Sequence, residues 1–218
     1  MNVVIFGASG MVGQGVLREC LADADVTRVT LIVRSPLRLV DKRAHEIRHA
    51  DFADFSSLAS DLAGTNACFF CLGATSLGLT EEQYRRVTLD VTAAAARTLA
   101  AVNPAMTFVF VSGKGSDSTE KGSVMWARVK GAAENVVLKT FPNGYAFRPG
   151  FIQPLHGITS RTQSYRMIYA LMAPFMPLLR RFKSQVTTTE QIGRAMLAVA
   201  RRGYAKRVLE SEDINAVV

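Results

Sequence analysis

Between Glu134 and Glu190 the 218-residue chain has no acidic side chain. Lys139, Arg148, Arg161, Arg166, Arg180, Arg181 and Lys183 all fall in that gap, so the net charge of +8, from 26 basic and 18 acidic residues, is concentrated there. Such a field suits an anionic partner, whether a phosphorylated ligand, a nucleic acid or a membrane surface, and equally suits a solvated basic face. No nucleic-acid reader motif accompanies the charge, which disfavours nucleic acid. Peripheral membrane contact through 161–183 stays open, but a helix docked on its own core is the preferred reading. Long apolar runs are missing too. The longest, Ile168–Leu179, is broken by Pro174 and Pro177 and falls short of the roughly 20 residues that span a bilayer. The opening MNVVIFGASG has neither a basic leader nor a small-residue cleavage site, so the expected location is cytoplasmic.

Cysteine is scarce, at three residues, which argues against a disulfide framework. Cys68 and Cys71 form C-x-x-C, but inside the strand-like ACFFCLG. Residues three apart on a strand face opposite ways, so the two thiols cannot grip one metal. No metal site is expected.

What the chain does have is alternation. Apolar strand-like runs at Asn2–Phe6, Val29–Val33, Glu46–His49, Ala67–Leu72, Thr107–Val111 and Tyr145–Arg148 are separated by helical patterns. Those patterns run from the glycine loop to about Ala22, then over Ser56–Leu62, Glu81–Val102 and Ser123–Thr140. Continuous apolar strands between amphipathic helices predict an α/β protein with a doubly wound parallel sheet covered on both faces, a Rossmann fold. The chain reads as a single domain, 1–218, with a cofactor-binding core over about 1–150. A small C-terminal substrate-side lobe over about 151–218 is expected above the sheet's carboxyl edge. A helical stretch is expected from about Thr162, and TTTEQIGRAMLAVARR predicts a last helix capped by Thr187 or Thr188, with Glu190 or Gln191 three residues on.

Gly7, Gly10 and Gly13, with Ala8, Ser9, Met11 and Val12 between them, form G-x-x-G-x-x-G directly after the first strand and at the start of a helix. One glycine permits the turn, one lets a pyrophosphate approach the helix N-terminus, and one lets helix and strand pack closely. Dinucleotide sites that take NAD carry an Asp or Glu at the end of strand two to hold the ribose 2′-hydroxyl. Here that place falls on Arg34, with Arg38 nearby. A guanidinium suits a 2′-phosphate, so NADP(H) is expected over NAD(H).

GASGMVG, LIVR, the Asp51-Phe52 pair in HADFADF, CLGATS, and VSGKGSDS…WARVKGAAE followed by FRPGFI together resemble the atypical short-chain dehydrogenases/reductases. Within that group, which shares ancestry with the nucleotide-sugar epimerases, they look most like the Tat-interacting-protein-like branch. The likeness covers residues 1–155 well and the rest loosely. It implies that Asp51 and Phe52 border an adenine, that Cys71, Leu72, Gly73 and Ala74 line pyrophosphate and ribose, and that Phe147–Phe151, including Pro149, border the nicotinamide. It also implies a homodimer through the alanine-rich helices, and catalysis by a serine, a tyrosine and a lysine. Ser112 and Lys130 fit two of those places, but Trp126 stands where the tyrosine belongs.

An indole N–H donates only and does not ionise near neutral pH. Three readings follow. Another acid, from Ser112, Ser116, Lys114 or a bound water, supports an oxidoreductase or epimerase-like enzyme. Alternatively, the chain binds NADP(H) without turnover, as a sensor or regulatory module, or it performs a different reaction. Tyr84 is the nearest other phenol and reads as a packing residue, and His156 reads as an incidental loop residue. The small-molecule substrate is not legible.

Overall fold

A computed structural model describes residues 1–37, 39–159 and 184–218. Arg38 and the basic stretch 161–183, with the helix, membrane and anion readings attached to it, lie outside the described residues. The strands are β1 (Asn2–Phe6), β2 (Arg28–Val33), β3 (Ala44–Arg48), β4 (Ala67–Phe70), β5 (Thr107–Val111), β6 (Gly144–Arg148), β7 (Phe151–Gln153), β8 (Val186–Thr188) and β9 (Val208–Glu210). Seven of them make one sheet in the order β3-β2-β1-β4-β5-β6-β9, with every neighbouring pair parallel. β7 and β8 form a separate parallel pair. The order reverses between β1 and β4, which opens a crevice at the carboxyl ends of those strands.

Side chains alternate across the sheet as a two-residue period requires. Val3, Ile5, Phe69 and Val109 pack on one face with α1 (Met11–Ala22) and α6 (Thr189–Arg202). Val4, Phe6, Phe70 and Phe108 pack on the other with α4 (Val91–Val102) and α5 (Met125–Thr140). On that second face Phe6, Phe70, Phe108 and Phe141 form a ladder with centroids 5.2, 5.8 and 5.0 Å apart. Each such contact contributes about 0.5–1.5 kcal/mol beyond area burial. Cys68 belongs to the second face, while Cys71 packs against the first.

The stretch predicted as one helix over Glu81–Val102 is helical throughout but widens in its middle. α3 (Glu81–Arg85) runs into a wide turn over Arg86–Asp90 before α4 begins. From the first turn of α4, Thr92 Oγ1 donates back to Thr88 O at 2.7 Å, and such back-bonding competes with the helical ladder. Between β3 and β4, a tight turn at Ser56–Leu58 precedes α2 (Ala59–Leu62).

The chain's end departs further from expectation. The last helix, assigned from sequence to a lobe above the sheet edge, instead lies against α1 on the sheet face. Glycines set the approach: a Cβ on Gly15 would sit 2.6 Å from Thr189 Cβ, and one on Gly193 would sit 2.7 Å from Glu19 Cγ. β9 then enters the main sheet beside β6, followed by α7 (Ser211–Ala216). Only a period of 3.6 residues was visible in α6, and it says nothing about which partner the apolar stripe meets. Thr188 is the cap, its Oγ1 accepting from Gln191 N at 2.9 Å. The Gln191 side chain turns to the carbonyls of Ile214 and Asn215, tying α6 to α7.

Candidate functional site

The crevice beside the switch point is a cleft of about 620 Å³. Its floor begins at the glycine loop. Gly7 has φ +81, and a Cβ there would meet the Cys71 carbonyl and Leu72 nitrogen at 2.8 Å. A Cβ on Gly13 would lie 2.1 Å from Gly7 O, so this glycine is needed for packing and does not itself line the cleft. Gly10 precedes α1 without a side-chain cap, and no acidic residue sits in the first turn. The opening amides of α1 therefore keep unpaired N–H groups at a wall formed by Ser9, Gly10, Met11 and Val12. Cys71, Leu72, Gly73, Ala74 and Thr75, running out of β4, form the facing side. β4 ends at Phe70, two residues earlier than predicted, and this shortening frees Cys71 and Leu72 to turn into the cleft.

A smaller lobe of about 350 Å³ continues past Gly7, Ala8 and Ser9 to Ile32, Arg34, Ser35 and Phe52. Arg34 lines both spaces, its guanidinium 5.6 Å from the Phe52 ring centroid. No carboxylate lines either space among the described residues. Asp51, placed by resemblance beside Phe52, is exposed and turns its Oδ1 to Ala53 N at 2.9 Å, outside both linings.

Ser112, Lys130 and Pro149 meet at the opposite end, joined by Val111, Gly113 and Gly150 to Ile152. Lys130 Nζ donates to Ser112 O at 3.1 Å and lies 6.0 Å from the Phe110 ring centroid. Burial drives its pKa down to about 8 against the opposing pull of the Glu134 carboxylate. Ser112 and Ser116 Oγ are 2.8 Å apart, and Ser116 Oγ donates to Gly113 O at 2.8 Å. Trp126 occupies the first turn of α5, with its ring edge against Gly115 and outside the cleft lining. Tyr84 is 2% exposed and packs in the core, away from the cleft.

An ionic knot stands behind this end. Glu134, fully buried one turn beyond Lys130, receives Arg148 in two-pronged fashion at 2.9 and 2.5 Å. Ser118 Oγ donates to Glu134 and accepts from Arg148. Gly131 lets the same loop close down, since a Cβ there would meet Asp117 O at 1.8 Å. His156 lies outside the cleft in a loop at φ +56, with Nε2 2.5 Å from Glu190 Oε2. That bond, with Arg194 beside it, holds the Glu190 carboxyl below its ordinary range.

Sequence reasoning did not single out Thr75, Ser35, Gly113 or Ile152. The available signal was positional: a parallel sheet's crevice is lined by whatever follows each strand's carboxyl end.

A parallel sheet that reverses order beside a glycine-floored cleft defines a Rossmann-type dinucleotide-binding protein. The chain belongs to the NAD(P)H-binding family, whose pattern matches residues 7–147, and is of atypical short-chain dehydrogenase/reductase type. It is 30% identical over 154 residues to Protein HTATIP2 of Rattus norvegicus, covering 69% of this chain. It is 27% identical over 122 residues, 55% of this chain, to leucinostatins biosynthesis cluster protein T of Purpureocillium lilacinum. The matched regions span 62% and 45% of those relatives. Its fold is similar to that of DesIV, a dTDP-glucose 4,6-dehydratase from Streptomyces venezuelae with NAD and TYD bound. The TM-score is 0.70 at 15% identity, covering 100% of this chain and 80% of that one. It is also similar to MoeE5 in complex with UDP-glucose and NAD, at TM-score 0.69 and 18% identity, covering 96% and 75%.

Proposed function

We propose that the chain binds NADP(H) in preference to NAD(H) and is an oxidoreductase of the atypical short-chain type with its proton relay altered at Trp126. The observation carrying the cofactor reading is Arg34, at the junction of two spaces that no carboxylate lines among the described residues. A 2′-phosphate beside it gains a charge-assisted partner, whereas a bare ribose hydroxyl finds no acceptor carboxylate. The glycine floor fits the pyrophosphate, because any Cβ at Gly7 or Gly13 would close the approach. A reduced nicotinamide, when bound, supplies a hydride. The α1 amides would hold the dinucleotide's phosphate oxygens, the Lys130 ammonium its ribose hydroxyls, and Phe151 with Ile152 would shield the reaction end from water. Calorimetric titration tests the preference: NADPH is expected to bind at least about tenfold more tightly than NADH, as one charge-assisted hydrogen bond allows. Equal or tighter binding of NADH overturns it.

One observation favours a second reading, a catalytically silent NADP(H)-binding module. Trp126 packs on Gly115, and no phenol lines the cleft among the described residues. NADPH consumption across a carbonyl panel separates the two readings. Absence of turnover in the parent with turnover in Trp126→Tyr favours the silent module.

A further inference from the structure

We propose that Lys130 Nζ is itself the proton donor of the reaction end, a role that rests on the oxidoreductase reading above. The hydroxyls beside it are committed elsewhere. Ser116 Oγ donates its one proton to Gly113 O, so in the 2.8 Å contact with Ser112 it accepts, and Ser112 donates. Both protons thus run along the loop, and Ser112 Oγ has only lone pairs to offer. Lys114 Nζ donates to Gln185 Oε1 at 2.7 Å and does not line the cleft. Cys71 does line it, but burial pushes its thiol pKa up, so it keeps its proton. Arg34 lies toward the nucleotide end.

Lys130 is placed differently. It lines the cleft, and one of its three N–H groups is used on Ser112 O. The charged group facing it is Glu134 on its own helix, and that carboxylate is already gripped by Arg148 from β6. With a pKa near 8, the ammonium is formed at neutral pH yet releases a proton readily. As a carbonyl carbon gains a hydride from the reduced dinucleotide, the C=O π pair moves onto oxygen. That oxygen takes a proton from Nζ, the N–H pair stays on nitrogen as a neutral amine, and water restores the proton. Ser112 Oγ then accepts from the new hydroxyl.

Two measurements test this. The first is a pH titration of ε-¹³C-lysine resonances, with the Lys130 signal identified by its loss in Lys130→Arg. A midpoint near 8 is expected, and one near 10.5 overturns the proposal. The second follows NADPH oxidation with a panel of aldehydes and ketones, alongside NADPH binding. Lys130→Arg keeps the cation but not the titration, so turnover at saturating NADPH down about 100-fold or more is expected. Turnover that survives Lys130→Arg overturns this proposal alone. If the parent oxidises no NADPH with any carbonyl, the oxidoreductase reading falls and the proposal falls with it.

Discussion

The two ends of the cleft are built by different means. The nucleotide end is made of backbone: glycines at 7, 10 and 13, the free amides of α1, and one exposed cation, Arg34. The reaction end is made of side chains held in place by partners: Lys130 on the Ser112 carbonyl, the Ser112 hydroxyl on Ser116, and Glu134 with Arg148 behind them. Backbone sites fail through steric intrusion, since a Cβ has nowhere to go. Side-chain sites fail through loss of a partner, since a buried charge is left alone. The same fold therefore contains a part limited by added atoms at Gly7 and Gly13 and a part limited by lost partners at Glu134 and Arg148.

The largest expected effect falls at the reaction end. Glu134→Ala leaves the Arg148 guanidinium, 15% exposed, without its two-pronged acceptor and with only the 3.7 Å approach of Glu210 Oε1 as a carboxylate partner, and it loosens the Ser118 loop. Breaking a buried pair this way costs about 3–5 kcal/mol. At roughly 2–4 °C per kcal/mol for a chain of this size, thermal unfolding should fall by about 10 °C. Glu134→Gln, which keeps an acceptor oxygen, should lose less. A loss under about 1 kcal/mol in the alanine variant would mean that the knot is solvated, and the contrast between the ends would weaken.

Gly13→Ala comes next, at the nucleotide end. The added methyl meets Gly7 O at 2.1 Å, so α1 must move away from β1 at a cost of about 1–3 kcal/mol. Calorimetry should show NADPH binding lost together with stability. Gly73→Ala, on the facing side of the cleft, is the control: it has nothing within 4 Å of its Cβ and should leave the unfolding midpoint unchanged. If both variants behave alike, steric intrusion is not what makes this end exacting.

Arg34→Ala is expected to leave stability unchanged, because the side chain is exposed and, among the described residues, shows only its approach to Phe52. Loss of one charge-assisted contact, about 1.5–3 kcal/mol, should weaken NADPH roughly 10- to 100-fold and NADH far less. Equal losses for the two dinucleotides would place the 2′-phosphate elsewhere.

This contrast also explains what the sequence could reveal. Gly7, Gly10, Gly13 and Arg34 were legible because backbone demands leave their mark at fixed offsets from a strand. The strands β1, β4 and β5 were legible because burial on both sheet faces makes each a continuous apolar run. Glu134 was not legible as a structural residue, since its partners Arg148 and Ser118 come from other elements and nothing local distinguishes it from a helix-surface carboxylate. The wide turn at Arg86–Asp90 was hidden inside a continuous helical pattern. Trp126 was legible as a departure from the resembling motif, but its packing on Gly115, set by the φ +87 turn there, was not. The helix α6 was found and misplaced, because its apolar stripe fits α1 as well as it would fit a lobe.

The smallest expected effect joins the two ways of building. Lys130 has a folded-state pKa of about 8, below the 10.5 of an exposed lysine, because burial disfavours its charge. Below pH 8 both folded and unfolded chains carry the proton, and the folded state bears the full burial penalty. Between pH 8 and 10.5 the unfolded chain binds more protons, so this group's contribution to stability rises with pH. Lys130→Met removes the penalty. It should therefore unfold at slightly higher temperature than the parent at pH 7, by on the order of 1 kcal/mol after allowance for partial exposure. That advantage should shrink through pH 8–10.5, as followed by thermal melts at matched ionic strength. A variant that is less stable than the parent at pH 7 would show that the ammonium is held by favourable contacts and is not strained by burial. The reaction end would then be as settled in its fold as the glycine floor opposite.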